Sequence, residues 1–254
     1  MASCIFCDEQ FGPGRKRSQE HAAPKWCAKL VPDQGPAQHD VVVEEADGTT
    51  IENNGLRDPF TTVAGDVCEP CNTGWMHELE DSCEVLLGHL IQGHARKIRF
   101  WRQMLAATWA VKTALVWESV YPRLRTIPPD VFHTLHRTQR AEARQQVWLG
   151  QFAGAEPYSF RRGAGHVIDA EGSDNPDGAH GYLVALTVGQ LALIVYGHVM
   201  PVPAYRTLPS EFESKLVHIW RPTLEVAYWP PPETLTETDL DLIVTSLGPF
   251  ESTA

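Results

Sequence analysis

VCEPCNTGWMHELE, from Val67 to Glu80, is the stretch whose reading decides the fold. Cys68 and Cys71 form a Cys-x-x-Cys knuckle, Asn72 follows at once, and Trp75, Met76 and Leu79 have the spacing that opens an amphipathic helix. A second Cys-x-x-Cys, Cys4 and Cys7, lies near the N-terminus. Each knuckle can present two thiolates to one tetrahedral ion, and four soft ligands with no open position describe a structural zinc site. Such an ion would staple a segment too small and too polar to fold alone. Between the knuckles lies EHAAPKW, Glu20 to Trp26. The two remaining cysteines, Cys27 and Cys83, read as small buried apolar residues.

The 254-residue length suits one large domain or two small ones. No apolar run reaches the roughly 18 to 20 residues needed to span a bilayer. The longest candidate, Ile98 to Val120, is interrupted by Arg102, Lys112 and Glu118, and the N-terminus lacks a secretion-signal layout. A cytoplasmic protein with no membrane partner is expected. The net charge of −11 argues against wholesale coating of nucleic acid, but it is unevenly spread. Residues 1–95 carry 6 basic and 16 acidic side chains, residues 96–162 carry 12 and 4, and residues 163–254 carry 3 and 12. A basic centre between acidic ends fits either a phosphate-binding footprint or solvated faces paired with acidic neighbours.

Along the chain, Gly12, Pro13 and Gly14 break regular structure, and residues 31–40 read as loop. Val41–Glu45 and Thr49–Ile51 read as strands around an Asp47-Gly48 turn, Asn53-Asn54-Gly55 as a second turn, and Thr61–Ala64 as a strand entering the second knuckle. Residues 78–120 read as mostly helix, with Ile98, Trp101, Leu105, Trp109 and Lys112 along one packed side. Arg96, Lys97, Arg99 and Arg102 gather at this helix's start, where the dipole prefers carboxylates, and such a local violation can mark a functional surface. Pro128-Pro129-Asp130 opens another helix to about Arg144, with Arg137, Arg140 and Arg144 on one face. From Gln145 the period shifts towards two. Val147, Leu149 and Phe152 predict a strand, Tyr182–Val188 and Leu191–His198 a hairpin about Gly189-Gln190, and Leu216–Trp220 and Leu224–Trp229 two more strands. Residues 169–181 read as loop, and Thr236–Leu247 as a closing helix.

CIFC, EHAAPKW and VCEPCNTGWM together resemble the HNH endonuclease family of the ββα-metal fold, in its zinc-bound variant. The resemblance covers about residues 4 to 85, with the knuckles, the acid-His-x-x-Pro run and the Asn in the family's order. It implies zinc on Cys4, Cys7, Cys68 and Cys71. It further implies His21 as the general base that activates a water, Glu20 and Asn72 as ligands of a catalytic Mg²⁺ or Mn²⁺, and Pro24 as the turn after the base. The physical chemistry is compatible: a hard, oxygen-rich site suits such an ion, and a neutral imidazole takes a proton near pH 7. The chain departs from the pattern in having Asn72 where many members have His, and in a long spacer from His21 to Cys68. The family's middle Asn has no clear counterpart; Asn53 and Asn54 are the candidates. His77 reads as a surface helix residue, Trp26 and Trp75 as core, and His89, His94, His133 and His136 as surface or core histidines.

The expected architecture is α+β: an N-terminal zinc-stapled ββα-metal (HNH) module over residues 1–95, a basic, mostly helical section over 96–162, and an acidic C-terminal antiparallel β-rich region over 163–254. The expected activity is metal-dependent hydrolysis of phosphodiester bonds, with DNA as substrate and Arg96, Lys97, Arg99 and Arg102 holding its backbone. The alternative is a zinc-binding adaptor that binds nucleic acid or protein and cuts nothing. The acidic C-terminal region would then, in either case, suit a protein-facing or self-inhibitory role.

Overall fold

The computed structural model describes residues 2–31, 37–44, 50–122, 125, 127–156, 158–166, 180–198, 209–221 and 225–245. Near the N-terminus, strand β1 (Glu20–His21) is followed by β2 (Ala37–Glu44) and β3 (Thr50–Arg57), an antiparallel hairpin, and then by β4 (Val63–Ala64). β4 returns to pair with β1, setting Glu20 opposite Ala64 and His21 opposite Val63. A single turn, α1 (Glu69–Cys71), starts after the extended Cys68 and passes through a π turn over Asn72–Met76 into α2 (His77–Ile91). Gly74 carries the break between them, with φ −94° and ψ −114°. The hairpin β2–β3 accounts for the long spacer between His21 and Cys68, because it leaves the β1–β4 ribbon and joins a larger sheet.

β5 (Arg96–Arg99) leads into α3 (Phe100–Val120), and α4 (Pro129–Thr138) precedes β6 (Gln145–Phe152), β7 (Tyr158–His166), β8 (His180–Val188) and β9 (Leu191–His198). β10 (Leu216–Trp220), β11 (Val226–Trp229), β12 (Thr234–Leu235) and α5 (Glu237–Thr245) complete the described chain. The main sheet has the order β10-β6-β9-β8-β7-β2-β3, with β12 beside β6. Its neighbours are antiparallel except for β2 with β7 and β12 with β6. Alternation along the strands builds two cores. Leu191, Leu193 and Val195 of β9 face one core, which also contains Cys4 and Trp229; Ala192, Ile194 and Tyr196 face the other, which α5 closes with Leu240, Ile243 and Val244.

α3 is the strut of the molecule. It packs on α2 and β4 on one side and on β6, β9 and β10 on the other. From Ala106 to Ser119 every residue is buried, and Ala106, Ala107, Ala110 and Ala114 allow close approach while Trp109 and Trp117 fill the spaces between layers. Two charged residues go in with them, Lys112 and Glu118. Glu118 is neutralised by Arg162 of β7 and also accepts the Ile127 N–H at 3.1 Å. Among the described residues, no helix is long and apolar enough to cross a membrane.

The mixture of helices with a largely antiparallel sheet agrees with the sequence reading, and the hairpin about Gly189-Gln190 forms as expected, with φ +56° at Gly189. Other elements differ. Residues 37–40, expected as loop, are strand, and Asn53-Asn54-Gly55 lies inside β3 because the hairpin pairs from Ala37–Arg57 to Glu44–Thr50 without a break. The basic cluster does not open a helix: Arg96, Lys97 and Arg99 are on β5, pairing with β11, and only Arg102 is on α3. α4 stops at Thr138, where Gln139 turns left-handed at φ +51°, so Arg140 and Arg144 share no helix face with Arg137. Trp101, expected in the packed stripe, is half exposed. The Asp47-Gly48 turn and most of the expected loop at 169–181 lie outside the described residues.

Candidate metal centre

The two knuckles meet because the backbone around them is laced together. The Cys4 N–H bonds the Glu9 carbonyl at 2.9 Å and the Asp8 N–H bonds the Cys4 carbonyl at 2.9 Å, closing the first turn. Ile5 then bonds Asp66 at 2.9 Å, Ser18 bonds Val67 at 2.8 Å and Glu69 bonds Lys16 at 3.0 Å, which draws the second knuckle against the first. All four sulphurs lie within 4.8 Å of one another, with Cys4 to Cys71 at 3.9 Å and Cys7 to Cys68 at 3.7 Å. None of the chain's cysteines is in a disulfide. The four cysteines can therefore hold a metal ion.

The crowded sulphurs shift one another's thiol pKa in opposite directions. The Cys71 hydrogen bond draws the Cys4 thiol down to about 4, while Cys71, holding that proton, goes far up and burial raises Cys7 to about 11. The Arg15 guanidinium reaches the Sγ atoms of Cys7 at 3.4 Å and Cys68 at 3.3 Å, supplying positive charge beside sulphur. Arg15 is thus a supporting residue of the centre, although it reads in the sequence only as part of a short basic run. Phe6, between the first two cysteines, packs edge-on against Trp75 at 5.7 Å and Phe132 at 5.3 Å, tying the centre to α4.

Beyond the cysteines, EHAAPKW runs from β1 into a tight turn, with the Ala22 N–H on the Thr62 carbonyl at 2.9 Å and the Cys27 N–H on the Pro24 carbonyl at 3.0 Å. Glu20 points inward. Its Oε1 accepts from Lys112 Nζ at 3.0 Å, and the same ammonium donates to Glu80 Oε1 at 2.5 Å. The lysine is fully buried, and the two carboxylates hold its pKa above the usual range against the opposing effect of burial. His21 is half-buried; burial lowers its pKa, the charge of Lys25 lowers it further, and Glu20 and Glu80 pull the other way. Burial and Lys25 thus favour the neutral imidazole.

The structure brings Glu20 to Glu80 and Lys112 rather than to Asn72. Asn72 follows Cys71 with its N–H on the Cys68 carbonyl at 3.1 Å, and among the described residues no hydrogen bond links it to Glu20 or His21. Side-chain placement of Asn53 and Asn54 lies outside what is described. Glu80 and Lys112 were missed as site residues. The available signal was a lysine set in the apolar run Leu105–Trp117, which needs a buried counter-charge. His77 pairs with Asp81 at 3.6 Å on the exposed face of α2, as expected of a surface helix residue. Cys27 and Cys83 are buried, and burial raises both thiols, Cys83 to about 12.

Arg96, Lys97, Arg99 and Arg102 lie at the other end of α3. None of them makes an ion pair among the described residues, whereas Lys112, Arg125, Arg144, Arg161 and Arg162 each have a carboxylate partner. No family model matches the chain, no curated protein matches it, and no solved structure matches it.

Proposed function

We propose that the chain is a zinc-stapled, metal-dependent endonuclease of HNH type that hydrolyses phosphodiester bonds, with DNA as substrate. The observation that carries the reading is the four-cysteine cluster enclosing the start of a β ribbon and helix that bear Glu20, His21 and Asn72. Tetrahedral zinc with bonds of about 2.3 Å sets its sulphurs about 3.8 Å apart, and two of the observed separations are 3.9 and 3.7 Å. The strand–strand–helix order of β1, β4 and α1–α2 is the one the family resemblance implies.

His21, neutral and partly open to solvent, takes the proton of an attacking water. The family resemblance assigns a divalent ion to Glu20 and Asn72, whereas the Glu20 carboxylate is held on the buried Lys112 and is not brought to Asn72. A Mg²⁺ or Mn²⁺ held by those residues would supply positive charge to the phosphate. Lys112 fixes Glu20 and Glu80 in place through its two ion pairs. Arg96, Lys97, Arg99 and Arg102 give the backbone contacts, which position without reading sequence.

The test is cleavage of supercoiled plasmid with Mg²⁺ or Mn²⁺ by the wild type and His21→Ala, with zinc measured on both. Loss of nicking by about 10²- to 10⁴-fold in the variant, with zinc retained, is the expected result. Equal cutting by both proteins would overturn His21 as the base. The Glu20–Lys112–Glu80 cluster favours one second reading, because it satisfies Glu20 without any metal: a zinc-stapled adaptor that binds nucleic acid or protein and cuts nothing. Plasmid binding without cleavage under any divalent ion would select it. In either reading the acidic C-terminal region would face a protein partner or restrain the chain itself.

A further inference from the structure

The surface at the start of α3 carries more than charge. β5 and β11 form a two-stranded ribbon of their own, with Tyr228 opposite Lys97 and Val226 opposite Arg99. Ile98, Ala227 and Trp229 point inward and are buried, so Lys97, Arg99 and Tyr228 are left on the outer side. Phe100 is 48% exposed, Trp101 52% and Tyr228 63%. These are three of only six large hydrophobic side chains exposed among the described residues, and they come from one ribbon and the first turn of the next helix. Cations are threaded between them: the Lys97 ammonium lies 5.6 Å from the centre of the Tyr228 ring and the Arg102 guanidinium 4.9 Å from that of Trp101.

A duplex explains the cations but not the rings. Its bases are already stacked inside, and its backbone needs only positive charge. An aromatic ring held in water among cations has a partner when a base is unpaired, since every base offers a π-face and its phosphates bring the matching charge. We propose that the β5–β11 ribbon and the first turn of α3 bind a nucleic-acid strand with unpaired bases, the bases stacking on Phe100, Trp101 and Tyr228 while Lys97, Arg99 and Arg102 hold the phosphates. The proposal rests on the reading that this basic surface meets nucleic acid, and it does not depend on cleavage at His21. Arg102 and Lys112 are ten positions apart on α3, or about 15 Å along the axis. A strand anchored at one end of the helix is therefore within a few nucleotides of the Glu20–His21 ribbon.

The experiment is fluorescence anisotropy on the zinc-loaded full chain, without added divalent ions, using fluorescein-labelled oligothymidylate and a duplex of equal length. The single strand should bind more tightly than the duplex. Trp101→Ala and, separately, Tyr228→Ala should each weaken it about 5- to 150-fold, with Trp101→Phe retaining most of the affinity. Arg99→Ala should weaken single strand and duplex alike and flatten the dependence on salt. Equal affinity for both oligonucleotides, or indifference of single-strand binding to both aromatic variants, overturns the proposal. So does binding to vesicles of phosphatidylserine with none to oligothymidylate. Single-strand binding by a chain that fails to cut plasmid leaves the proposal standing and removes the nuclease reading, whereas plasmid cleavage with no effect of the aromatic variants does the reverse.

Discussion

Lys112→Met removes the charge at the centre of the molecule while keeping an unbranched side chain of similar length. Lys112 is 1% exposed, and its two partners, Glu20 and Glu80, are 6% and 19% exposed. In the variant both carboxylates lose their common cation in a site closed on most sides. Removing one member of a buried ion pair costs about 3–5 kcal/mol, because the charge left behind is neither solvated nor neutralised. Glu80 retains some access to water, which places the expected loss near the lower end, about 3 kcal/mol. For a chain of this size each kcal/mol moves the melting temperature by about 2–4 °C, so a fall of about 6–12 °C is expected in a calorimetric scan at pH 7 with zinc held constant. The triple variant Lys112→Met, Glu20→Gln, Glu80→Gln keeps the shapes and removes the stranded charges, and should recover part of the loss. A melting temperature for Lys112→Met within about 2 °C of the wild type, or a triple variant less stable than the single one, would refute the argument that Lys112 exists to neutralise these carboxylates.

Three further outcomes are expected. Cys68→Ser should abolish metal binding and loosen the fixed structure of residues 2–31, since zinc, the proposed occupant, would contribute about 10–16 kcal/mol on four thiolates, comparable to the whole stability of a domain; metal content and near-ultraviolet circular dichroism read both. Gly189→Ala should cost about 1–3 kcal/mol by chemical denaturation, because the residue sits at φ +56° and a Cβ would meet the Ile91 carbonyl oxygen at 2.5 Å. His218 has its pKa lowered by burial against the opposing hydrogen bond to Trp220. The unfolded chain therefore takes up a proton near pH 6.5 that the folded chain refuses, and stability falls as pH drops from about 7 towards the folded value, by at most about 1.4 kcal/mol per pH unit. His218→Gln should flatten that part of a stability–pH curve.

The four-cysteine cluster was legible because a thiolate site is written in residue types and short spacings. Four cysteines in two Cys-x-x-Cys pairs remain readable across the 60 residues between Cys7 and Cys68, however the chain runs there. The hairpin Tyr182–His198 was equally plain, since Gly189-Gln190 punctuates two uniformly apolar runs. What failed to show was pairing at a distance. Residues 96–99 read as helix because Ile98 continues the periodicity of α3, and only β11, more than 120 residues later in the chain, makes them a strand. Asn53-Asn54-Gly55 has the composition of a turn but sits in strand because β2 supplies partners along the whole of β3. Glu80 reads as one more acid on a helix until Lys112 is placed against it from a different helix.

α3 turns these separate features into one arrangement. At its first turn lie Arg102 and the exposed Phe100 and Trp101, beside the β5–β11 ribbon; at its middle lies the lysine that fixes Glu20 beside His21; at its end lies Glu118, bound to Arg162 of the main sheet. A helix buried over Ala106–Ser119 cannot slide or roll without breaking both buried ion pairs, so the distance between the cationic surface and the Glu20–His21 ribbon is fixed by the packing. On the proposed nuclease reading that rigidity would hold a strand bound at one end in register with the other, since displacement of a reacting group by an ångström is enough to lose orders of magnitude in rate. It also separates two classes of variant. Changes at Phe100, Trp101 or Tyr228 act on the surface alone and should leave stability nearly untouched, whereas changes at Lys112 or Glu118 act on the strut and should disturb binding and stability together.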